Sequence, residues 1–478
     1  MTVEVAFAAA GWLDADAAHR LQRRLNEGLV RARASGGTTI ASVTAGSVRG
    51  HDPTGVVVAS RRATEPWFVL EQPDPHRVAV AGLGSVHVLE ARGPDRFTQV
   101  ARRWSSLAAT ALADPPDGSP GSGLIAVGGF AFAPHGGSSR RWSGFAAASL
   151  IVPEISLARR DDRSWLTVNV AIAPDDTRDD LTVRVGQRLA GLRHGPLPLL
   201  DPVATGNYAV ASSLPPSHYE DAVASAVQRI RGGELEKIVL AREVEVSAPV
   251  AHDPAAVLGV LRDAYASSFV FAVGRGEATF LGATPELLVR REGQRATTVA
   301  LAGSSRRSAD PSVDDHLAEA LLRSGKDVAE NAIVARRIAR ALRPHSVWVA
   351  AAPEPIVVRV ANIQHLARPI RAQLASPLGA IELVAALHPT PAVGAEPGSA
   401  LSLIPALEGL DRGWYAGPVG WTDASGDGEF CVAIRSALLR GRIARCYAGG
   451  GIVADSDPAA ELAETELKLQ VMLPVLAG

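Results

Sequence analysis

The chain has very little sulfur and almost no net charge. Among 478 residues, Cys431 and Cys446 are the two cysteines, and they form no C-x-x-C pair. Neither a disulfide framework nor a thiolate metal site is therefore indicated, and a reducing, cytoplasmic setting fits best. Lysine and arginine total 48 against 50 aspartates and glutamates, a formal net charge of −2. With no basic excess gathered on a face or helix, nucleic acid is not an expected partner. No apolar run approaches the ~18 residues of a membrane span, and the start of the chain lacks the basic region of a secretory signal. A soluble, uncleaved protein with no membrane partner is expected. The length gives ample chain to bury a deep site and suggests either two domains or one large domain in two halves.

Residues 1–205 mix a helical stretch, about 14 to 35, with alternating segments near 67–70, 77–90, 124–132 and 165–173 that read as antiparallel strands. Residues 114–123 form a loop by composition, and prolines 196, 198, 202, 215 and 216 mark a looser connection. The boundary is placed near 205. Gly82-Leu-Gly84 does not complete G-x-G-x-x-G and lies inside a strand pattern, so it is read as structural. Gly128-Gly-Phe-Ala-Phe132 reads as a buried strand with close backbone approach.

The second half, 206–478, opens with a helix near 218–231 and a strand over 237–246. Strands follow near 269–273, 278–281, 286–292 and 296–302, then one long helix over about 313–343. A meander of three strands, about 413–421, 430–439 and 443–448, precedes the C-terminal helix. Strands and helices are segregated rather than alternating, so the fold class is α+β with antiparallel sheets and outer helices.

The strongest chemical lead is a pair of carboxylate pairs. Asp327-Val-Ala-Glu330 and Glu461-Leu-Ala-Glu464 each space two acids at i, i+3, on one helical face. Such pairs are commonly just solvated faces. Brought together, four acids would repel unless solvated apart or sharing a divalent cation, and hard oxygen ligands favour Mg²⁺. Glu461 follows the glycine-rich strand end Gly449-Gly-Gly451 and then Ser456-Asp457-Pro458. There Ser456 or Asp457 can cap a helix and Pro458 can open it, beside a cradle for an anion.

Three more charges fall where a core is expected. Arg435 sits in mid-strand with apolar neighbours on both faces, and burying it unpaired would cost several kcal/mol. Its partner is either an internal acid or a substrate carboxylate. Lys237 lies on an apolar strand, where it either reaches solvent from the strand's entry edge or, desolvated, acts as a general base. Glu286 follows Gly282-Ala-Thr-Pro285 and is either an exposed strand-start glutamate or a proton donor with a raised pKa.

Taken together, Lys237-Ile-Val-Leu-Ala-Arg242, Gly282-Ala-Thr-Pro-Glu-Leu-Leu288, Ser324-Gly-Lys-Asp-Val-Ala-Glu330, Gln364-His-Leu366, His388-Pro-Thr-Pro-Ala-Val-Gly394, Tyr415-Ala-Gly-Pro-Val-Gly420 and the C-terminal segment resemble the chorismate-utilising enzymes. The likeness spans nearly all of 230–470 in order and only loosely the first 205 residues. It implies one large fold in two halves, similar to anthranilate synthase component I, with chorismate and Mg²⁺ in a cleft of the C-terminal part. By motif, Glu330 and Glu464 are implied as the main metal acids, with Asp327 and Glu461 assisting. Arg435, Tyr415, Lys468 and the backbone of Gly449 and Gly451 are implied to hold a substrate carboxylate. Gly303, Ser304, His365 and Ala392 would line the rest of the pocket.

Members that add ammonia carry glutamine where Lys237 stands, whereas the water-adding isochorismate and salicylate synthases carry lysine. The resemblance thus implies an isochorismate synthase with no glutamine amidotransferase subunit: Lys237 as base, Glu286 as acid. Ala302 occupies the place of the nucleophilic lysine of aminodeoxychorismate synthases. The lyase-competent salicylate synthases tend to show threonine near Ala392. Salicylate synthase and a non-catalytic chorismate-binding relative are the alternatives. Asn331 stands where histidine commonly follows the metal glutamate, Ser304 replaces threonine, and Ala395 replaces a frequent glycine.

Overall fold

The computed structural model describes residues 11–46, 51–74, 77–115, 118–200, 206–361 and 363–477. The boundary expected near 205, Pro202 and the first ten residues lie outside the described residues. Two antiparallel-dominated sheets, of thirteen and ten strands, form the centre. Both draw strands from either side of residue 205. In the larger sheet, Phe269–Arg275 pairs with Trp67–Gln72, with Phe271 opposite Leu70. In the smaller sheet, Pro418–Asp423 pairs with Ile125–Phe130, with Gly420 opposite Gly128. The second joint is tight: a Cβ on Gly420 would lie 2.0 Å from the Glu429 carbonyl, and one on Gly128 2.2 Å from that of Ser149. The close approach read from Gly128-Gly129 is present.

Strand alternation divides the core. Phe68 and Leu70 join Phe130, Val419 and Phe430 in a cluster containing residues of both sheets. Val69 and Ala81 turn the other way, to a second cluster with Leu21 of the helix Ala15–Ser35 and Leu258 of the helix Pro254–Ala264. The α+β class with antiparallel sheets and outer helices holds.

The site is built on strands β1 (Lys237–Ser247), β2 (Ala278–Thr284), β3 (Leu287–Glu292) and β4 (Arg295–Arg306), then helix α1 (Gly325–Leu342) and strand β5 (Ile363–Leu374). It is completed by β6 (Gly428–Val432), β7 (Ser436–Arg440), β8 (Ile443–Ile452) and helix α2 (Pro458–Leu469). Of these, β1, β2, β7 and β8 lie in the larger sheet; β3, β4, β5 and β6 lie in the smaller.

Three expectations need correction. The single helix over 313–343 is two, Pro311–Arg323 and α1, because Ser324 is extended and caps α1 by accepting from the Asp327 N–H. The strand over 430–439 is also two, β6 and β7, in different sheets. Its alternation breaks at Arg435, which takes a left-handed φ of 52°. The meander is therefore shared between both sheets instead of lying in one. Likewise 77–90 is two strands, Val78–Leu83 in the larger sheet and His87–Ala91 in the smaller.

Candidate active site

Two chain crossings between the sheets meet at one seam. One runs from β2 to β3 through Pro285-Glu286; the other runs from β6 to β7 through Ala433-Ile434-Arg435. They bond to each other: Val432 N–H donates to the Glu286 carbonyl at 3.0 Å, and Ala283 N–H to the Arg435 carbonyl at 3.1 Å. Each crossing thereby holds one charged side chain in the interior. Glu286 is 4% exposed, not a solvated strand-start residue. Burial pushes its carboxyl up to about 7, against the opposing pull of Lys237, Arg435 and Lys468.

Arg435 is buried and points a guanidinium N–H at His365 Nε2, 3.4 Å away. A guanidinium only donates, so this nitrogen of His365 accepts. Burial, then Arg435 and Lys468, lower the His365 pKa to about 3, so the ring is neutral. His365 pairs with Ser304 across β4 and β5, beside an irregularity between Leu301 and Ser304. Gly303 lies in that irregularity with φ +82°, and a Cβ on it would sit 2.9 Å from the Asp327 Cβ. Tyr415 is buried with its hydroxyl toward Gly449, and burial raises its pKa to about 12, so it remains a phenol that can donate.

Lys237 is fully buried on β1, and its Nζ donates to Glu330 Oε1 at 2.7 Å. The entry-edge reading, with the ammonium in water, is not what the fold adopts. Gly451 on β8 faces Val239, and only a glycine there leaves room for the Lys237–Glu330 pair. From beneath, Glu408 accepts from Ala241 N–H at 2.7 Å, and Arg412 donates to the carbonyls of Val239 at 2.9 Å and Val393 at 2.8 Å. This buried Glu408–Arg412 pair escaped the sequence reading; its i, i+4 spacing was the available signal, although Arg412 lies beyond the helix Leu403–Glu408.

The acids arrive on two helices. On α1, Asp327 hydrogen-bonds the Ser324 hydroxyl, and burial together with Glu330 and Glu464 raises its pKa. Asn331, in the customary histidine's place, is fully buried and pins α1 to the sheet. Its amide donates to the carbonyls of Ala300 and Leu366, both at 3.0 Å, and its oxygen accepts from Arg368 at 3.2 Å. On α2, Asp457 is the cap and Pro458 opens the helix. Ser456 instead donates to Glu461 Oε1 at 2.6 Å. Glu464 Oε1 accepts from Ser304 and from Lys468, each at 2.7 Å. Burial alone would raise the Glu464 pKa, but Lys468, Ser304 and Lys326 bring it down to about 2.

A cleft of about 690 Å³, including its open mouth, collects Glu286, Gly303, Ser304, Asp327, Glu330, His365, Ala392, Tyr415, Arg435, Gly449, Gly451, Glu464 and Lys468. Lys237 and Glu461 stand behind this lining, each in contact with a residue of it. Val239, Leu301, Ala302, Val393, Ile434 and Lys326 complete the wall. Lys326 went unassigned in the sequence because it lies off the i, i+3 pair; its Nζ reaches Glu461 Oε1 at 3.2 Å. A cavity of about 600 Å³ near the other side of β1, lined by Tyr219, Leu240 and Arg242 among others, contains none of the four helical acids.

The donor set suits a hard divalent cation: four carboxylates, and a Glu461 Oε2 that is buried without a hydrogen-bond partner. As the side chains stand, no three acids, histidines or cysteines among the described residues converge closely enough to hold an ion. Lys237, Lys326 and Lys468 each pair with one of the glutamates. The ligand chemistry of these carboxylates fits magnesium.

Residues 27–477 match the family described as chorismate binding enzyme. A Pseudomonas aeruginosa protein named salicylate biosynthesis isochorismate synthase is 38% identical over 429 residues, 89% of this chain and 88% of that one. The structure of MenF, the menaquinone-specific isochorismate synthase from Escherichia coli, aligns with a TM-score of 0.76 at 26% identity, over 96% of this chain and 100% of that one. Anthranilate synthase component I from Streptococcus pneumoniae shares the fold, with a TM-score of 0.67 at 21% identity, over 83% and 92% of the two chains. Among the described residues no helix is long and apolar enough to cross a membrane.

Proposed function

We propose that this chain, which belongs to the chorismate-binding enzyme family, is an isochorismate synthase that isomerises chorismate by adding water at C2 and losing the C4 hydroxyl. The observation that carries this reading is the pairing of a buried lysine at 237 with a buried carboxyl at 286 whose proton is retained up to about 7. Lys237 takes a proton from the attacking water, and Glu286 gives one to the departing hydroxyl. Water needs such a base; ammonia does not.

Arg435, beside neutral His365, binds one substrate carboxylate, with the Tyr415 hydroxyl and Lys468 in support. Glu330 and Glu464, assisted by Asp327 and Glu461, would hold Mg²⁺. Bound there, the ion would orient the ring carboxylate and offset developing charge. The chain's own residues otherwise position the substrate against Lys237 and Glu286. Ala392 contributes a methyl group to the wall, without the hydroxyl of lyase-competent relatives, and so favours release of isochorismate over pyruvate elimination. No amidotransferase subunit is needed.

The test is purified protein with chorismate and Mg²⁺, with and without an added isochorismate-cleaving enzyme, following products by chromatography and pyruvate by a coupled assay. Isochorismate alone, with pyruvate formed only when the second enzyme is present, is the expected result. Pyruvate and salicylate from the protein alone would replace this reading with salicylate synthase. Binding without consumption would reduce the chain to a chorismate-binding relative.

A further inference from the structure

We infer that Lys326 is an internal counter-cation that competes with the divalent metal for the acids of the cleft and must leave Glu461 when the metal enters. The inference rests on the magnesium reading above. Lys326 stands in the first turn of α1, lines the cleft, and spans from that helix to Glu461 on α2, with Nζ 3.2 Å from Oε1. The charges of Glu464 and Glu330 act on the same ammonium. It thus sits among the carboxylates of both helices, where a shared cation would be drawn.

Three lysines pair with three of these glutamates, but they are not equivalent. The side chains of Lys237 and Lys468 are 1% and 10% exposed, whereas that of Lys326 is 40% exposed. Lys326 alone of the three can swing its ammonium into water at little cost, because the charge stays hydrated throughout the move. Glu461, by contrast, is 2% exposed and cannot follow it. The contact is also incomplete. Lys326 and Ser456 both serve Oε1, while buried Oε2 has no hydrogen-bond partner. A buried carboxylate left with one bare oxygen is poorly compensated by a flexible ammonium and better compensated by a divalent cation.

Two consequences separate this role from plain structural support. Neutralising Lys326 should strand the Glu461 charge when no metal is present, and should remove a rival when metal is offered. Calorimetric titration of Mg²⁺ into chelator-treated protein, without chorismate, reads the second; thermal melts with and without Mg²⁺ read the first. We expect Lys326→Met and Lys326→Gln to bind Mg²⁺ about two- to fivefold more tightly, the scale of a partly exposed ion pair. Both should melt lower than the parent without metal and gain more from Mg²⁺, while Lys326→Arg stays near the parent. Unchanged or weaker Mg²⁺ binding in both neutral variants would overturn the competition. If neither parent nor variants take up Mg²⁺ while chorismate is still consumed, the magnesium reading fails and this inference falls with it.

Discussion

Gly451→Ala should slow turnover sharply while leaving the fold intact. Gly451 is the penultimate residue of β8, opposite Val239, and is not among the residues with left-handed φ. Alanine therefore brings no backbone strain, only a methyl group. That methyl would lie 2.4 Å from Glu330 Oε1, 2.9 Å from Lys237 Cε and 3.2 Å from Lys237 Nζ, where ordinary contact starts at 3.4 Å. Glu330 must therefore retreat by about 1 Å, and Lys237 by about half that, disturbing the 2.7 Å pair between them. A misplacement of about 1 Å in a catalytic group can cost ~10²-fold in rate. The clashing atoms are the ends of side chains, one of them bordering the open cleft, so relief is local. We expect kcat to fall about a hundredfold, KM to change by no more than a few-fold, and Tm to stay within a few degrees. Initial rates of chorismate consumption, with a thermal melt beside them, measure all three. A Gly451→Ala protein that keeps turnover within threefold would show that the Lys237–Glu330 geometry does not govern the chemistry.

Lys237→Ala should reduce water addition at least ~10²-fold, the usual worth of a positioned base, with an unchanged circular dichroism spectrum; retained turnover would reject the base assignment. Glu464→Gln loses charge in the cleft while keeping its shape, so the Mg²⁺ concentration for half-maximal rate should rise at least about tenfold; an unchanged metal demand would remove Glu464 from the metal set. Glu286 donates only while protonated, so turnover should decline as pH rises through about 7. Glu286→Gln should lower the rate and erase that limb. Because the folded pKa is raised from 4.5, the stability linked to Glu286 is complete below 4.5 and is lost as pH rises through about 7. At pH 8, Glu286→Gln should therefore be the more stable protein, by up to about 3 kcal/mol in chemical denaturation.

Much of the site was legible because it rests on short-range patterns. The i, i+3 spacing of Asp327 with Glu330 and of Glu461 with Glu464 fixes a shared helical face whatever the tertiary fold, and each pair does lie on its helix. The cap and proline at Asp457-Pro458 are equally local. Arg435 shows where such reasoning stops. Its apolar neighbours correctly marked it as buried, yet the same run concealed a change of sheet, because strand alternation continues on either side of one residue with left-handed φ. The split of the long helix at Ser324 was hidden similarly: a serine inside a helical pattern is tolerated, and only its extended backbone makes it a cap. Lys326 reaches Glu461 on an element far away in sequence, and Glu408 and Arg412, though only four residues apart, act on strand β1; no local period encodes those contacts.

The departure at position 331 illustrates how the fold protects the site from such changes. A buried asparagine has two donors and an acceptor, and here Asn331 spends them on carbonyls of both neighbouring strands and on Arg368. It therefore fixes the rotation of α1 next to Glu330 without entering the cleft lining. In this chain the position supplies polar anchorage of the helix to β4 and β5. The same logic applies to Ser304, which keeps the hydroxyl that reaches Glu464 and gives up only a methyl group. Asn331 thus anchors α1 to β4 and β5 and Ser304 reaches Glu464, while Lys237, Glu286 and Arg435 are held by the strands and crossings of the seam itself.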